Sequence, residues 1–98
     1  MQEDLIAEVG IDDEQRLWLR PSKVSFDCVY RAAMEVHWDD EQKRLFSPKP
    51  REWTYLQWFD QIITAAADEY GVRLKLTPST LWRNVPDELK TSIQDSSA

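Results

Sequence analysis

The stretch from Pro50 to Tyr70 limits what this chain can fold into more than any other, because it is the one long helical pattern in the sequence. Leu56, Phe59, Ile63, Ala66, Ala67 and Tyr70 recur at three- and four-residue steps and so share a helical face. Trp58, Ile62 and Ala65 widen that face, which predicts cover on more than one side. Thr54 and Gln57 have the spacing of a capping box, in which a hydroxyl and a side-chain amide satisfy each other's backbone N–H. Gly71 supplies the stop, because a left-handed residue after the last turn costs glycine little. Upstream, Ser47-Pro48-Lys49-Pro50 cannot be helix interior, since proline lacks a donor and fixes φ. It forms a stiff lead-in that aims the helix. The helix is expected over residues 54–70.

The flanking segments carry a period of two. Leu5, Ala7, Val9 and Ile11 alternate with Ile6, Glu8 and Gly10, predicting a first strand; Asp12-Asp13-Glu14-Gln15 is a turn and Arg16 to Arg20 a second strand. Phe26, Cys28, Tyr30, Ala32, Met34, Val36 and Trp38 then fall on one side of a long alternating run, which predicts a long strand, bent near Ala32-Ala33, with Tyr30, Met34 and Trp38 turned inward. Asp39-Asp40-Glu41-Gln42 turns the chain into a fourth strand at Arg44-Leu45-Phe46. Val72, Leu74 and Leu76 give a fifth. Residues 79–84 are ambiguous between a turn and a single helical turn, and Pro86 to Ile93 reads as a short helix with acids in its first turn. The fold class is therefore α+β: a mostly antiparallel sheet of about five strands, one long helix on one face and a short C-terminal helix. Ninety-eight residues hold a single core, so residues 1–98 form one domain, with 94–98 as a flexible tail. The second sheet face is expected to be partly apolar (Val29, Ala33, Ile6, Trp18), which predicts a homo-oligomer, most simply a homodimer.

Charge and cysteine usage narrow the functions. The net charge is −6 and the charges are interspersed, so neither nucleic acid nor an anionic membrane surface is an expected partner. Cys28 is the single cysteine, which excludes an internal disulfide and a four-cysteine zinc site; in its apolar run it is expected to be a buried, inert thiol. No apolar run reaches membrane-span length, and the first residues have no signal-peptide pattern, so the expected location is cytoplasmic. The two acidic turns lack the ligand spacing and glycine of a calcium loop; no metal and no cofactor are expected.

No catalytic signature is present. The two glycines, Gly10 and Gly71, are too far apart for a phosphate loop. On the expected long strand His37 and Cys28 lie on opposite sides, against a thiol–imidazole dyad, whereas His37 and Glu35 share a side and could position an imidazole. The five tryptophans, Trp18, Trp38, Trp53, Trp58 and Trp82, are the unusual feature. They suit core packing, a cation-accepting cleft, or an interface. Trp53, Tyr55 and Trp58 lie too close together for all three to enter one small core, so part of this cluster is expected to reach a groove or a partner. The candidate binding residues are Trp53, Tyr55, Trp58, Trp82, Lys49, Arg51, His37 and Glu35.

The segments Tyr30-Arg31-Ala32-Ala33-Met34-Glu35-Val36-His37-Trp38 and Leu45-Phe46-Ser47-Pro48-Lys49-Pro50-Arg51-Glu52-Trp53-Thr54-Tyr55-Leu56-Gln57-Trp58-Phe59 resemble small bacterial proteins of unassigned function, some of them encoded by integron gene cassettes. The resemblance implies a compact α+β fold, a capacity to form homo-oligomers and an origin in mobile genes. It transfers no catalytic residue. Three functions stay open. The first is a non-enzymatic binding or adaptor protein that docks a protein partner through aromatic residues, for instance an immunity-type protein neutralising a basic toxin. The second is a binder of small cationic ligands in a tryptophan-lined pocket. The third is an enzyme using His37 and a carboxylate.

Overall fold

A computed structural model describes residues 2–96. Helix α1 (Tyr55–Tyr70) starts and ends as its sequence dictates. The Thr54 hydroxyl accepts the Gln57 N–H at 3.2 Å, and the Gln57 side-chain oxygen accepts the Thr54 N–H at 2.8 Å. Gly71 closes the last turn in the left-handed region, with φ 64° and its N–H bonded to the Ala67 carbonyl at 2.9 Å. The buried stripe of α1 centres on Trp58, Phe59, Ile62, Ala65 and Ala66. It is rotated from the expected centre line: Leu56, Ile63 and Tyr70 pack only at its margin.

The sheet is mixed and has six strands: β1 (Gln2–Ile11), β2 (Leu17–Pro21), β3 (His37–Asp39), β4 (Arg44–Phe46), β5 (Val72–Lys75) and β6 (Leu81–Arg83). Its order is β3-β4-β2-β1-β5, with β6 also on β1. The β3–β4–β2–β1 pairings are antiparallel, but β5 and β6 both run parallel to β1, the former along Gln2–Leu5 and the latter along Glu8–Gly10. The ambiguous segment 79–84 thus contains β6, so Leu81 and Trp82 stand in a strand and not in the expected turn or helical turn. A bulge between Ile6 and Glu8 lets Ile6 and Val9 both face the core, which a strict period of two forbids.

The inner face is a row across five strands, Trp38–Leu45–Leu19–Val9–Trp82, in register. Leu45, Leu19 and Val9 are fully buried, and this row packs into one core with α1 and with Ile93 of α2 (Asp87–Ser96). Burial of each such aliphatic side chain contributes roughly 1.5–3 kcal/mol. The turns Asp12–Arg16 and Asp39–Lys43 use one device twice. The Asp12 carboxylate accepts the N–H groups of Glu14 and Arg16, and that of Asp39 accepts those of Glu41 and Gln42. Each turn leaves one non-glycine residue left-handed, Gln15 at φ 67° and Lys43 at φ 55°.

Three expectations are corrected. The long strand over Phe26–Trp38 does not form: a single 3-10 turn occupies Val29–Arg31, and only His37 and Trp38 join a strand. Tyr30 is 52% exposed and Met34 86% exposed, so neither turns inward as expected, while Trp38 does. The buried residues are Phe26, Val29 and Val36, with Ala33 packed against them, a three- and four-residue spacing that a period-two reading of the run overlooks. Second, Val29 and Ile6 belong to the core and Ala33 packs on it, so of the four residues assigned to an apolar outer sheet face only Trp18 is there. Third, Gln94–Ser96 continue α2, with the Ser96 hydroxyl 3.3 Å from an Asp60 carboxylate oxygen; the rest of the expected tail, 97–98, lies outside the described residues.

What holds the irregular 26–31 segment is the end of α1. The Tyr70 hydroxyl accepts the Cys28 N–H at 2.7 Å and donates to an Asp27 carboxylate oxygen at 2.9 Å, and its ring lies 4.9 Å from that of Phe26. Burial pushes the Tyr70 phenol above its ordinary pKa; the Cys28 N–H works against this and the Asp27 carboxylate adds to it. Tyr70→Phe is expected to cost about 1–2 kcal/mol, since it leaves the Cys28 N–H without its acceptor. Urea denaturation measures the loss, and faster hydrogen exchange at the Cys28 amide locates it.

Candidate functional site

The arm from Ser47 to Trp53 leaves β4 and turns into α1. Ser47 is fully buried, its N–H bonded to the Leu17 carbonyl at 2.9 Å, so the arm is anchored at its root. Pro48 and Pro50 stiffen it. At its far end Trp53 meets Trp58, with ring centroids 4.8 Å apart and planes tilted by 47°. Trp58 is a core residue, whereas Trp53 remains 42% exposed. These two indoles, Pro48, Lys49, Arg51, Glu52 and, from the loop before β3, Glu35 line an open cleft of about 420 Å³.

Five of the eight candidate residues therefore come together: Trp53, Trp58, Lys49, Arg51 and Glu35. The other three do not. Tyr55 turns toward the β1–β2 hairpin, where its hydroxyl donates to the Gln15 carbonyl at 2.9 Å; burial, and then the Asp12 charge, raises its phenol pKa. Trp82 packs half-buried against the core from β6, with the Lys90 ammonium 5.6 Å from its ring. His37 sits exposed on β3 with its ring 5.3 Å from that of Phe46. Among the described residues no hydrogen bond or ion pair joins His37 to Glu35 or to Cys28, because the strand expected to set their relative faces is absent. Cys28 is half-buried rather than enclosed. Among the described residues no three His, Cys, Asp or Glu side chains converge as a metal-binding group would require, and no helix is long and apolar enough to cross a membrane.

The hairpin that receives Tyr55 is itself charge-stabilised. Burial raises the Asp12 carboxyl, but the Arg16 N–H, the Arg16 guanidinium at 2.8 Å and the Glu14 N–H outweigh it, and its pKa lies below the ordinary carboxylate value. A depressed folded-state pKa contributes stability above the unfolded value near about 3.9, and that stability is lost as pH falls through the lower, folded one. Asp12→Asn is expected to cost ~0.5–1 kcal/mol at neutral pH, a modest figure because Arg16 is partly solvated. The gap between variant and parent narrows in acid, read by urea denaturation at neutral pH and below pH 3.

A second set of residues, of which the sequence pointed only to His37 and Trp18, lies on the outer sheet face. There the register places His37, Phe46, Trp18, Gly10 and Arg83 in one row and Asp39, Arg44, Arg20, Glu8 and Leu81 in the next. The Arg44 guanidinium lies 4.5 Å over the Trp18 ring, and that of Arg16 4.8 Å over Phe46. Glu8 pairs with both Arg20 and Arg83. The signal was present in the charged–apolar–aromatic–apolar–charged order of Arg16-Leu17-Trp18-Leu19-Arg20, but strand order is needed to bring β4 and β6 beside it.

A two-layer α+β domain with a cleft at the root of its long helix is what fold and site define. Its sequence matches the profile of the Integron Cassette Protein Hfx_Cass5 family over residues 4–80, and the chain belongs to that family. Among solved structures it is similar to one described as a structure from the mobile metagenome of North West Arm Sewage Outfall, Integron Cassette Protein Hfx_Cass5. The two share 41% identity over 99% of this chain and 97% of that one, with a TM-score of 0.50. Comparison with curated proteins found no match.

Proposed function

We propose that the protein is a non-enzymatic binding protein that docks a segment of a protein partner in the Trp53–Trp58 cleft. The observation that carries this reading is the half-exposed Trp53, held against a core tryptophan on a proline-stiffened arm. An indole already fixed in place loses little entropy on contact, and a buried aromatic centre with a charged rim is the usual anatomy of a hot spot. Lys49, Arg51, Glu35 and Glu52 supply such a rim, with both signs of charge. Selection of displayed peptides on the immobilised protein tests the proposal. The selected peptides are expected to quench tryptophan fluorescence and to bind Trp53→Ala at least about tenfold more weakly. Peptides that bind Trp53→Ala as well as the parent would refute it.

A second reading is favoured by the two carboxylates beside the indole pair: a small quaternary-ammonium ligand, held by the ring faces and by Glu35. Choline and tetramethylammonium are the probes. Saturable quenching lost in both Trp53→Ala and Glu35→Gln would move the proposal to this class.

A further inference from the structure

The outer face of the sheet concentrates positive charge on an acidic protein. The core-facing residues Val9, Leu17, Leu19, Leu45, Val72 and Leu74 are buried, Trp82 is half-buried against the same core, and the chain neighbours of these seven point the other way. Those neighbours include Arg16, Arg20, Arg44, Arg73, Lys75 and Arg83, half of the chain's 12 lysines and arginines. The same face holds Glu3, Glu8, Asp12 and Asp39, and Glu14 reaches its edge 3.5 Å from Arg16, so five of the 18 carboxylates stand against these six cations. The chain as a whole is −6, so its charge is unevenly distributed, and this face is the part where cations outnumber carboxylates. Leu5 and Leu81 stand on this face 49% and 52% exposed, beside the cations.

We infer that this outer sheet face docks an acidic segment of another protein, one that interleaves carboxylates with apolar side chains. Charge complementarity selects the sign of the partner. Arg44 is already stacked on Trp18, so it meets a carboxylate with little further loss of freedom. Neither Arg44 nor Arg73 is in an ion pair among the described residues. The pattern fits a protein better than a nucleic acid. Arg16, Arg20, Arg83 and Lys75 are each paired with a carboxylate, which leaves no run of unpaired cations for a phosphate backbone, and Leu5 and Leu81 have no counterpart on one. A second copy across a two-fold axis would bring arginine-rich faces together. None of these residues lines the Trp53–Trp58 cleft, so the inference stands apart from the proposed function.

Fluorescence anisotropy with three labelled probes provides the test: a peptide of alternating Glu and Leu, its Lys–Leu counterpart, and a mixed-sequence single-stranded DNA. The Glu–Leu peptide is expected to bind, to weaken when salt is raised from about 0.02 to 0.3 M, and to bind the Arg44→Glu/Arg73→Glu double variant at least about tenfold more weakly. Trp53→Ala is expected to leave this binding unchanged. If circular dichroism shows the double variant unfolded, the Arg44→Gln/Arg73→Gln pair is read in its place. Failure of the Glu–Leu peptide to bind at millimolar concentration, equal binding of the Lys–Leu peptide, tighter binding of the DNA, or a dimer in sedimentation that Arg44→Glu dissolves would each overturn the inference.

Discussion

Gly10→Ala is expected to destabilise the protein by about 2 kcal/mol, a cost outside what a strand glycine normally incurs. Alanine in a strand is ordinarily the better residue, by roughly 0.5–1 kcal/mol. Here the Trp18 indole lies across the space a Cβ would occupy, and the new methyl would overlap Cζ2, Cε2 and Nε1 of that ring. The ring cannot retreat freely, because the Arg44 and Arg20 guanidinium groups lie 4.5 and 5.6 Å from its centroid and Trp18 is only 6% exposed. Overpacking of this kind costs typically 1–3 kcal/mol. In a Trp18→Leu background the clash disappears, and Gly10→Ala is expected to cost less than about 0.5 kcal/mol, so a double-mutant cycle by urea denaturation isolates the contact. Equal costs in the two backgrounds would show that the indole does not lie over Gly10.

Asp4→Ala is expected to cost about 3 kcal/mol and to lower the melting temperature by roughly 12–20 °C for a domain of this size. Asp4 is 4% exposed, and its carboxylate accepts three backbone N–H groups: Leu5 at 2.9 Å, Lys23 at 3.1 Å and Val24 at 2.9 Å. The last two belong to the loop that follows β2, so one side chain ties that loop to β1. Alanine leaves those donors without partners beside the core, and each such loss costs ~1–3 kcal/mol. Asp4→Asn keeps one acceptor oxygen and is expected to lose about half as much. Calorimetry on the three proteins gives the order parent, Asn, Ala; an alanine variant as stable as the parent would remove Asp4 from the structural account.

The parts of this molecule legible in its sequence are those fixed by neighbours a few residues apart. The Thr54–Gln57 box, the Gly71 stop and the Asp-led turns are local chemistry, and each is found where the residues put it. The Trp53–Trp58 side of the cleft was legible for the same reason, since a stiff arm and a helix start are adjacent in the chain. What could not be read depends on distant partners. Residues 26–36 alternate well enough to suggest a strand, yet their conformation is set by Tyr70 at the far end of α1. Asp4 looks like part of a polar terminus until the Lys23–Val24 backbone arrives above it. The arginine-rich face needs four separate segments, β2, β4, β5 and β6, in register around β1, and no window on the chain contains them all.

The central strand receives both of its parallel neighbours from the last third of the chain, Leu5 opposite Lys75 and Glu8 opposite Leu81. Until those residues have left the ribosome, one whole flank of β1 offers bare peptide groups to any passing strand. This flank therefore closes only after α1 has carried the chain back across the sheet. The nascent protein is exposed to sticking to its neighbours until residues 72–83 have emerged, and a fragment stopped at Gly71 would keep that risk permanently.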